Sequence, residues 1–264
     1  MAVYQNISTV ERRRIILEEL QQNKQVNISK LNDQFGVSEV TLRKDLRYLE
    51  NKNLLIRSRG GAMLPVKVSD DLSVQKRMVI NLEQKKSIAI AASSLIKEGD
   101  TIILDSGTTL MQLAKHLEKI KRLTIITNAL DIVLKLSEFS NLKIIVPGGI
   151  FRKNSFSLVG VTAVENFQMF RADKYFVSAD GINAEGIFTA NLEEGQIAKI
   201  IMSHAKENIV LVDSSKFDRS GIINFAPLAK IHTIVTDKNI PQNYLSHFTT
   251  LGIKVVIAED ITVN

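Results

Sequence analysis

The chain has 264 residues, 34 Lys and Arg against 28 Asp and Glu, and no cysteine. That length predicts two domains or one large one, with a core that needs no metal or disulfide. Zero cysteine excludes a disulfide scaffold, thiolate metal centres and thiol catalysis.

No apolar run approaches the ~18 residues of a membrane span. The opening Met1-Ala2-Val3-Tyr4-Gln5 lacks a basic stretch leading into an apolar one. A soluble, cytoplasmic protein is expected. His116, His204, His232 and His247 are widely spaced and unpaired with other ligand types, so neither a metal nor a cofactor is expected. Charge is uneven. Residues 1–64 hold 11 Lys/Arg and 7 Asp/Glu, against 23 and 21 in residues 65–264. A small basic module on a nearly neutral body suits an anion-binding head, although a solvated surface would carry the same excess.

Ile15, Ile16 and Leu20 share one face of a first predicted helix, and Ile28, Leu31 and Phe35 space a short second one. Gly36 can take the positive φ that ends it. Ser38 is a good N-cap for a third helix running to about Asn51. Two short strands around Arg57-Ser58-Arg59-Gly60-Gly61 follow, with both arginines expected at the hairpin tip. Three helices and a hairpin predict a winged helix-turn-helix. At 100° per residue, Leu42, Leu46 and Leu49 form one stripe of the third helix. Arg43, Lys44, Arg47 and Tyr48 lie opposite, with Thr41 at the flank. Such a helix can enter the major groove, while Arg57 and Arg59 reach the backbone or minor groove. The competing reading is a surface helix whose cations pair with Glu39, Asp45 and Glu50.

Arg12, Ile16 and Leu20, then Ser38-Glu-Val-Thr41-Leu-Arg43-Lys44-Asp45-Leu46 and Arg59-Gly60-Gly61-Ala62, resemble the DeoR/GlpR family of bacterial transcription regulators. The resemblance implies double-stranded operator DNA as a partner and Ser38, Thr41, Arg43, Lys44 and Arg47 as the groove-facing set. Asp45, flanked by cations, is expected to orient Arg43 or another neighbour, because a carboxylate near phosphate is repelled.

Pro65 disfavours helix, and residues 65–77 read as a linker between a DNA-binding domain (1–64) and an effector-sensing domain (78–264). From Asn81 helical spacing returns. Beyond it, short apolar runs at 101–104, 124–127, 143–146, 174–177, 208–212, 232–235 and 254–257 alternate with helical segments. This predicts an α/β domain with a mainly parallel sheet. Ligands bind beyond the carboxyl ends of such strands. There the sequence places Asp105-Ser106-Gly107-Thr108-Thr109, Thr127-Asn128, Gly148-Gly149 with Arg152, Asp180-Gly181, and Asp213-Ser-Ser-Lys216-Phe217. Hydroxyls, amides, carboxylates and a cation together suit a small phosphorylated polyol. Asp105 and Asp180 are candidates for sugar hydroxyls, Lys216 and Arg152 for anionic groups.

The family resemblance extends over this region. It implies a phosphorylated sugar effector that changes operator affinity, and a protein that works as a homodimer or homotetramer, as a repressor. Arg152, Ser157-Leu-Val-Gly160, Asp180-Gly181 and Asn191-Leu-Glu-Glu194 look most similar to the branch regulating amino-sugar (galactosamine-type) catabolism. The body also resembles ribose-5-phosphate isomerases, which makes a sugar-phosphate isomerase fused to a DNA-binding head the rival reading. Those enzymes carry a general-base Glu just before a Lys-Ile-Ile run and a Lys after the Asp-Gly. Here Ala198 precedes Lys199-Ile200-Ile201, and no Lys occurs between Tyr175 and Ala198. No catalytic residue is therefore expected.

Overall fold

The computed structural model describes residues 7–23, 25–50, 54–58, 60–63 and 72–260. It divides into two compact units, Met1–Lys67 and Val68–Asn264.

The first unit contains α1 (Thr9–Asn23), β1 (Gln25–Asn27), α2 (Ile28–Phe35), α3 (Glu39–Glu50), β2 (Ile56–Ser58) and β3 (Gly61–Met63). Local chemistry sets the boundaries. Asn27 caps α2 by accepting the Ser29 N–H, and Gly36 ends it at φ 64°. Ser38 Oγ accepts the Thr41 N–H at the start of α3. Ile16, Leu20, Leu31, Phe35, Leu42, Leu46, Leu49 and Leu55 close one core. The three strands pair antiparallel in the order β1-β3-β2. β1 is absent from the sequence reading: three residues between two helices carry no usable period. Arg57 departs from its expected place. It stands inside β2, opposite Ala62, and not at the hairpin tip, because the wing is shorter than the sequence implied. Arg59 lies outside the described residues.

The second unit opens with α4 (Val74–Val79) and α5 (Leu82–Ser93), then β4 (Thr101–Leu104), α6 (Thr108–Ala114), β5 (Leu123–Ile126), α7 (Leu130–Leu136) and β6 (Leu142–Ile145). A hairpin of β7 (Ile150–Arg152) and β8 (Ser157–Val159) leads into α8 (Val161–Gln168) and β9 (Ala172–Ser178). Next come β10 (Gly181–Asn183), β11 (Gly186–Thr189), α9 (Leu192–Met202), β12 (Ala205–Leu211), β13 (Ile223–Ala226), β14 (Thr233–Asp237), α10 (Gln242–Thr250) and β15 (Lys254–Ala258). Residues 74–77, read above as linker, are helical. Val74 is buried, and its N–H donates to the Asn154 carbonyl. A helix of six residues is too short to show a period.

All seven apolar runs become strands of one sheet, in the order β15-β14-β12-β9-β4-β5-β6, and every pairing in it is parallel. Both faces are covered, so alternate residues enter different cores. Ile103, Tyr175, Val177 and Val210 pack on one face, and Ile102, Leu104, Phe176 and Leu211 on the other. From β4 the chain adds β5 and β6 on one side, then returns through β9 to the other side of β4. That reversal splays the connections leaving β4 and β9 to opposite faces. A crevice opens at their carboxyl ends. The small antiparallel sheet β10-β11-β13 was not anticipated. No helix among the described residues is long and apolar enough to cross a membrane.

Candidate functional site

Two surfaces carry the candidate residues, one in each unit. In the head, Leu42, Leu46 and Leu49 are buried, while Ser38, Arg43, Lys44, Arg47 and Tyr48 are exposed and Thr41 is half-buried. The leucine-backed helix thus presents a basic face. Asp45 does not orient Arg43. It is 2% exposed and accepts from Arg12 Nε and Arg13 Nε, each at 2.7 Å, tying α3 to α1. Arg13 also lies 3.8 Å above the Tyr48 ring centroid. Arg43 instead makes an exposed pair with Glu39 at 3.1 Å, which is worth little in water and leaves its guanidinium available. In the wing, Arg57 Nε donates to Glu50 at 2.6 Å.

In the second unit a cavity lies at the carboxyl ends of β4 and β9, the position where the strand order reverses. Asp105, Ser106, Ser178, Asp180, Glu194, Ala198 and Arg77 line it. The β4 loop approaches the end of β9 closely: a Cβ on Gly107 (φ 153°) would stand 2.7 Å from Ser178 Oγ. Asp105 Oδ2 accepts the Tyr175 hydroxyl at 2.6 Å, and its Oδ1 accepts the Ser106 N–H at 2.7 Å. Burial pushes the Asp105 carboxyl up to about 7, against the pull of those two hydrogen bonds. Burial also raises the Tyr175 phenol, so it stays a donor. Asp180 Oδ2 accepts from Thr189 Oγ1 and the Ala190 N–H, while Oδ1 stands 3.7 Å from Arg77. Asn191 caps α9 by accepting the Glu194 N–H. The Glu194 carboxylate meets Arg152 Nη1 at 2.8 Å.

The remaining expected residues are not among those that line this cavity. Asn128 anchors the β7–β8 hairpin: its Nδ2 donates to the Leu158 carbonyl, and Leu158 N–H donates back to the Asn128 carbonyl, while Thr127 N–H donates to Ile145 of β6 and its Oγ1 accepts the Ala129 N–H. Gly148 and Gly149 lead into β7 of the same hairpin, which carries Arg152 to Glu194. Thr108 and Thr109 are buried at the start of α6, which no side chain caps. Gly181 begins β10, with the Arg219 backbone packed where a Cβ would be. Lys216 sits in the turn Ser214–Lys216 after β12, and burial lowers its ammonium below the usual range.

Sequence reasoning missed Arg77, Ser178 and the hydroxyl of Tyr175. Arg77 falls in the stretch taken for a linker, and Tyr175 looks like any apolar strand residue. Glu194 was visible but set aside as out of step with Ala198. One helical turn separates the two, so both reach the cavity. Among the described residues no three His, Asp or Glu side chains are placed to hold a metal.

Residues 12–68 match the DeoR-like helix-turn-helix domain and residues 80–238 the DeoR C terminal sensor domain. The chain is 33% identical to the putative aga operon transcriptional repressor of Escherichia coli O157:H7, over 94% of each protein. It is 36% identical to the lactose phosphotransferase system repressor of Lactococcus lactis subsp. lactis, over 89% of this chain and 93% of that one. With the HTH-type transcriptional repressor GlcR of Bacillus subtilis it shares 32% identity, over 94% and 96%. Among solved structures it is similar to ribose 5-phosphate isomerase A of Methanocaldococcus jannaschii, over 52% of this chain and 55% of that one, at 20% identity and TM-score 0.38. A helix with an exposed basic face in the first unit, a lined cavity in the second and matches across both lead to one assignment: the chain belongs to the DeoR family of transcriptional regulators.

Proposed function

We propose that the protein is a cytoplasmic repressor of a sugar or amino-sugar catabolic operon, whose operator affinity is set by a phosphorylated sugar. The observation that carries this reading is the exposed face of Arg43, Lys44 and Arg47 on a helix anchored by buried leucines. Ser38, Thr41 and these cations read the major groove and its phosphates, and Arg57 and Arg59 contact the backbone from the wing. One such helix presents few base-reading side chains, so a homodimer or homotetramer on a repeated operator supplies affinity and selectivity. The names of the aga, GlcR and lactose repressors support a sugar-linked operon, the aga name an amino sugar.

The cavity is the effector site. Asp105 and Asp180 take hydroxyls, Ser106 and the Gly107-Thr108-Thr109 turn add donors, and Lys216 supplies positive charge. Thr127, Asn128, Gly148 and Gly149 act through the hairpin they hold, and Gly181 by letting the chain pass close to residue 219. Arg152 acts through Glu194. The effector changes operator affinity by as much as it prefers one state of the protein over the other. An isomerase is less well supported. Ala198 brings only a methyl group to the cavity, and the loop after Asp180 contains no lysine. The base and the enediolate-stabilising cation are thus missing from the positions that those enzymes use, while Glu194 and Arg77 enter the cavity from other positions.

A thermal-shift titration with phosphorylated aldoses and amino sugars tests the sensor. A specific ligand raises Tm with the logarithm of its excess over Kd. The absence of a shift with any of them refutes it. In parallel, Arg43→Ala is expected to abolish operator binding and keep the shift, and Asp105→Ala to do the reverse. Equal loss of both activities in both variants would refute the division of labour.

A further inference from the structure

We propose that Arg13 of α1 is a further contact to DNA: its guanidinium, fixed against α3, receives a backbone phosphate at the edge of the groove that α3 enters. This rests on the reading of α3 as the DNA-facing helix and adds a contact from a different element.

Two neighbours fix Arg13 in place. Its Nε donates to Asp45 Oδ1 at 2.7 Å, and its guanidinium carbon lies 3.8 Å from the centroid of the Tyr48 ring. The cation is thus held at one edge and on one face. Its other edge is open. The two terminal amino groups make no hydrogen bond among the described residues, and neither is buried. The side chain as a whole is 23% exposed. The neighbouring arginines are engaged differently. Arg12 is buried between Asp45 and Thr9, and Arg14 lies between Glu11 and Glu18.

The charges at this junction do not balance. Arg12 and Arg13 both pair with Asp45, so two cations share one carboxylate. One positive charge remains, and it resides on the arginine with free donors. Asp45 does not turn a phosphate away, because it is 2% exposed and covered by both arginines.

Position selects the anion. Thr41, Lys44 and Tyr48 follow one another at three and four residues, so they share a stripe of α3. Tyr48 is 46% exposed, and Arg13 lies over its ring. The guanidinium therefore stands beside a groove-facing stripe. An α-helix with its side chains is about 10–12 Å across and fills a major groove ~12 Å wide. Whatever flanks the helix then meets the sugar-phosphate backbone. A planar guanidinium donates to two phosphate oxygens at once. Asp45 and Tyr48 hold it before DNA arrives, so little side-chain freedom is lost on binding.

The test uses the full-length protein and two duplexes of equal length, one selected by the wild type from a random library and one of unrelated sequence. Fluorescence anisotropy over a salt series reads Kd and its slope. Arg13→Gln is expected to weaken binding to both duplexes by a similar factor, on the order of tenfold. It should also reduce the slope of log Kd against log salt by about 0.9 for each head bound. An unchanged slope, or a loss confined to the selected duplex, overturns the proposal: a residue that only braces α3 alters the fit to bases without removing a phosphate contact. Urea denaturation shows whether the head of the variant is folded. Where it is not, Arg13→Lys takes its place. Its single ammonium lacks the fork that serves Asp45 and a phosphate together, so weaker binding to both duplexes supports the proposal and wild-type affinity overturns it. A wild type that selects no duplex and binds none removes the DNA reading of α3 as well, whereas normal binding by Arg13→Gln removes only the part of Arg13.

Discussion

Two carboxylates show how much a single residue's surroundings decide. Asp45 looks like a surface charge in the sequence, flanked by Lys44 and Arg47. In the fold it is the buried counter-charge of Arg12, which is itself 5% exposed. Asp45→Ala would leave that arginine buried without its partner. A loss of about 3–5 kcal/mol in the head is expected, read from urea denaturation followed by a probe in residues 1–64. A loss below ~1 kcal/mol would class the pair with exposed ones. Asp105 works the other way. Its carboxyl titrates near 7 in the folded chain against about 3.9 in an unfolded one, so between those values the native state holds more protons. Stability therefore falls as pH rises from about 4 to about 7, and this contribution is level above that. Asp105→Asn should flatten that part of the Tm-against-pH curve and raise Tm most at neutral pH. Parallel curves for the two proteins would contradict the raised carboxyl. Asp105 was legible as a candidate because it follows a predicted strand, whereas its raised titration comes from burial that only the fold creates, opposed by the hydrogen bond from Tyr175, 70 residues away.

At the scale of elements, legibility followed length and period. The seven sheet strands were readable because each carries a short apolar run, fully buried in the central strands and partly exposed in β6 and β15 at the edges, and α3 because its leucines repeat. β1 and α4 were not, since three and six residues give no period to detect. Their formation depends on distant partners: β3 for β1, and the Asn154 carbonyl for the first N–H of α4. The β1–β3 pairing also explains the second glycine of the wing. A Cβ on Gly61 would lie 2.0 Å from the Val26 carbonyl oxygen, which no rotamer can relieve. Gly61→Ala should therefore separate β1 from β3 and weaken operator binding, while the sensor keeps its ligand-induced shift. Wild-type affinity for operator in this variant would show that the three-stranded arrangement is dispensable. The hairpin of β7 and β8 is a second case. Asn128, which follows β5, donates from Nδ2 to the Leu158 carbonyl of β8, a contact that only the fold reveals.

For the whole molecule, three of the cations in the first 64 residues have a location among the described residues, the exposed face of α3. Arg43, Lys44 and Arg47 offer few phosphate contacts, so a single head binds weakly and with a shallow salt dependence. A duplex carrying two half-sites should bind more tightly than one carrying a single half-site, beyond the statistical factor, and with a steeper slope of log Kd against log salt. Fluorescence anisotropy over a salt series measures both. Equal affinities and slopes would eliminate the repeated-head reading.

The sequence by itself determined the division into a basic head and an α/β body, the seven strands, the leucine-backed third helix and the polar clusters at the strand ends. These rest on local periodicity and capping, which a linear pattern records. Only the tertiary structure decided which strand ends meet, because the site depends on the order of strands across the sheet and not along the chain. Placing β9 beside β4 brought Asp105 to Asp180 and Glu194. Packing α4 against that edge brought Arg77, from a stretch with no recognisable pattern, into the same cavity.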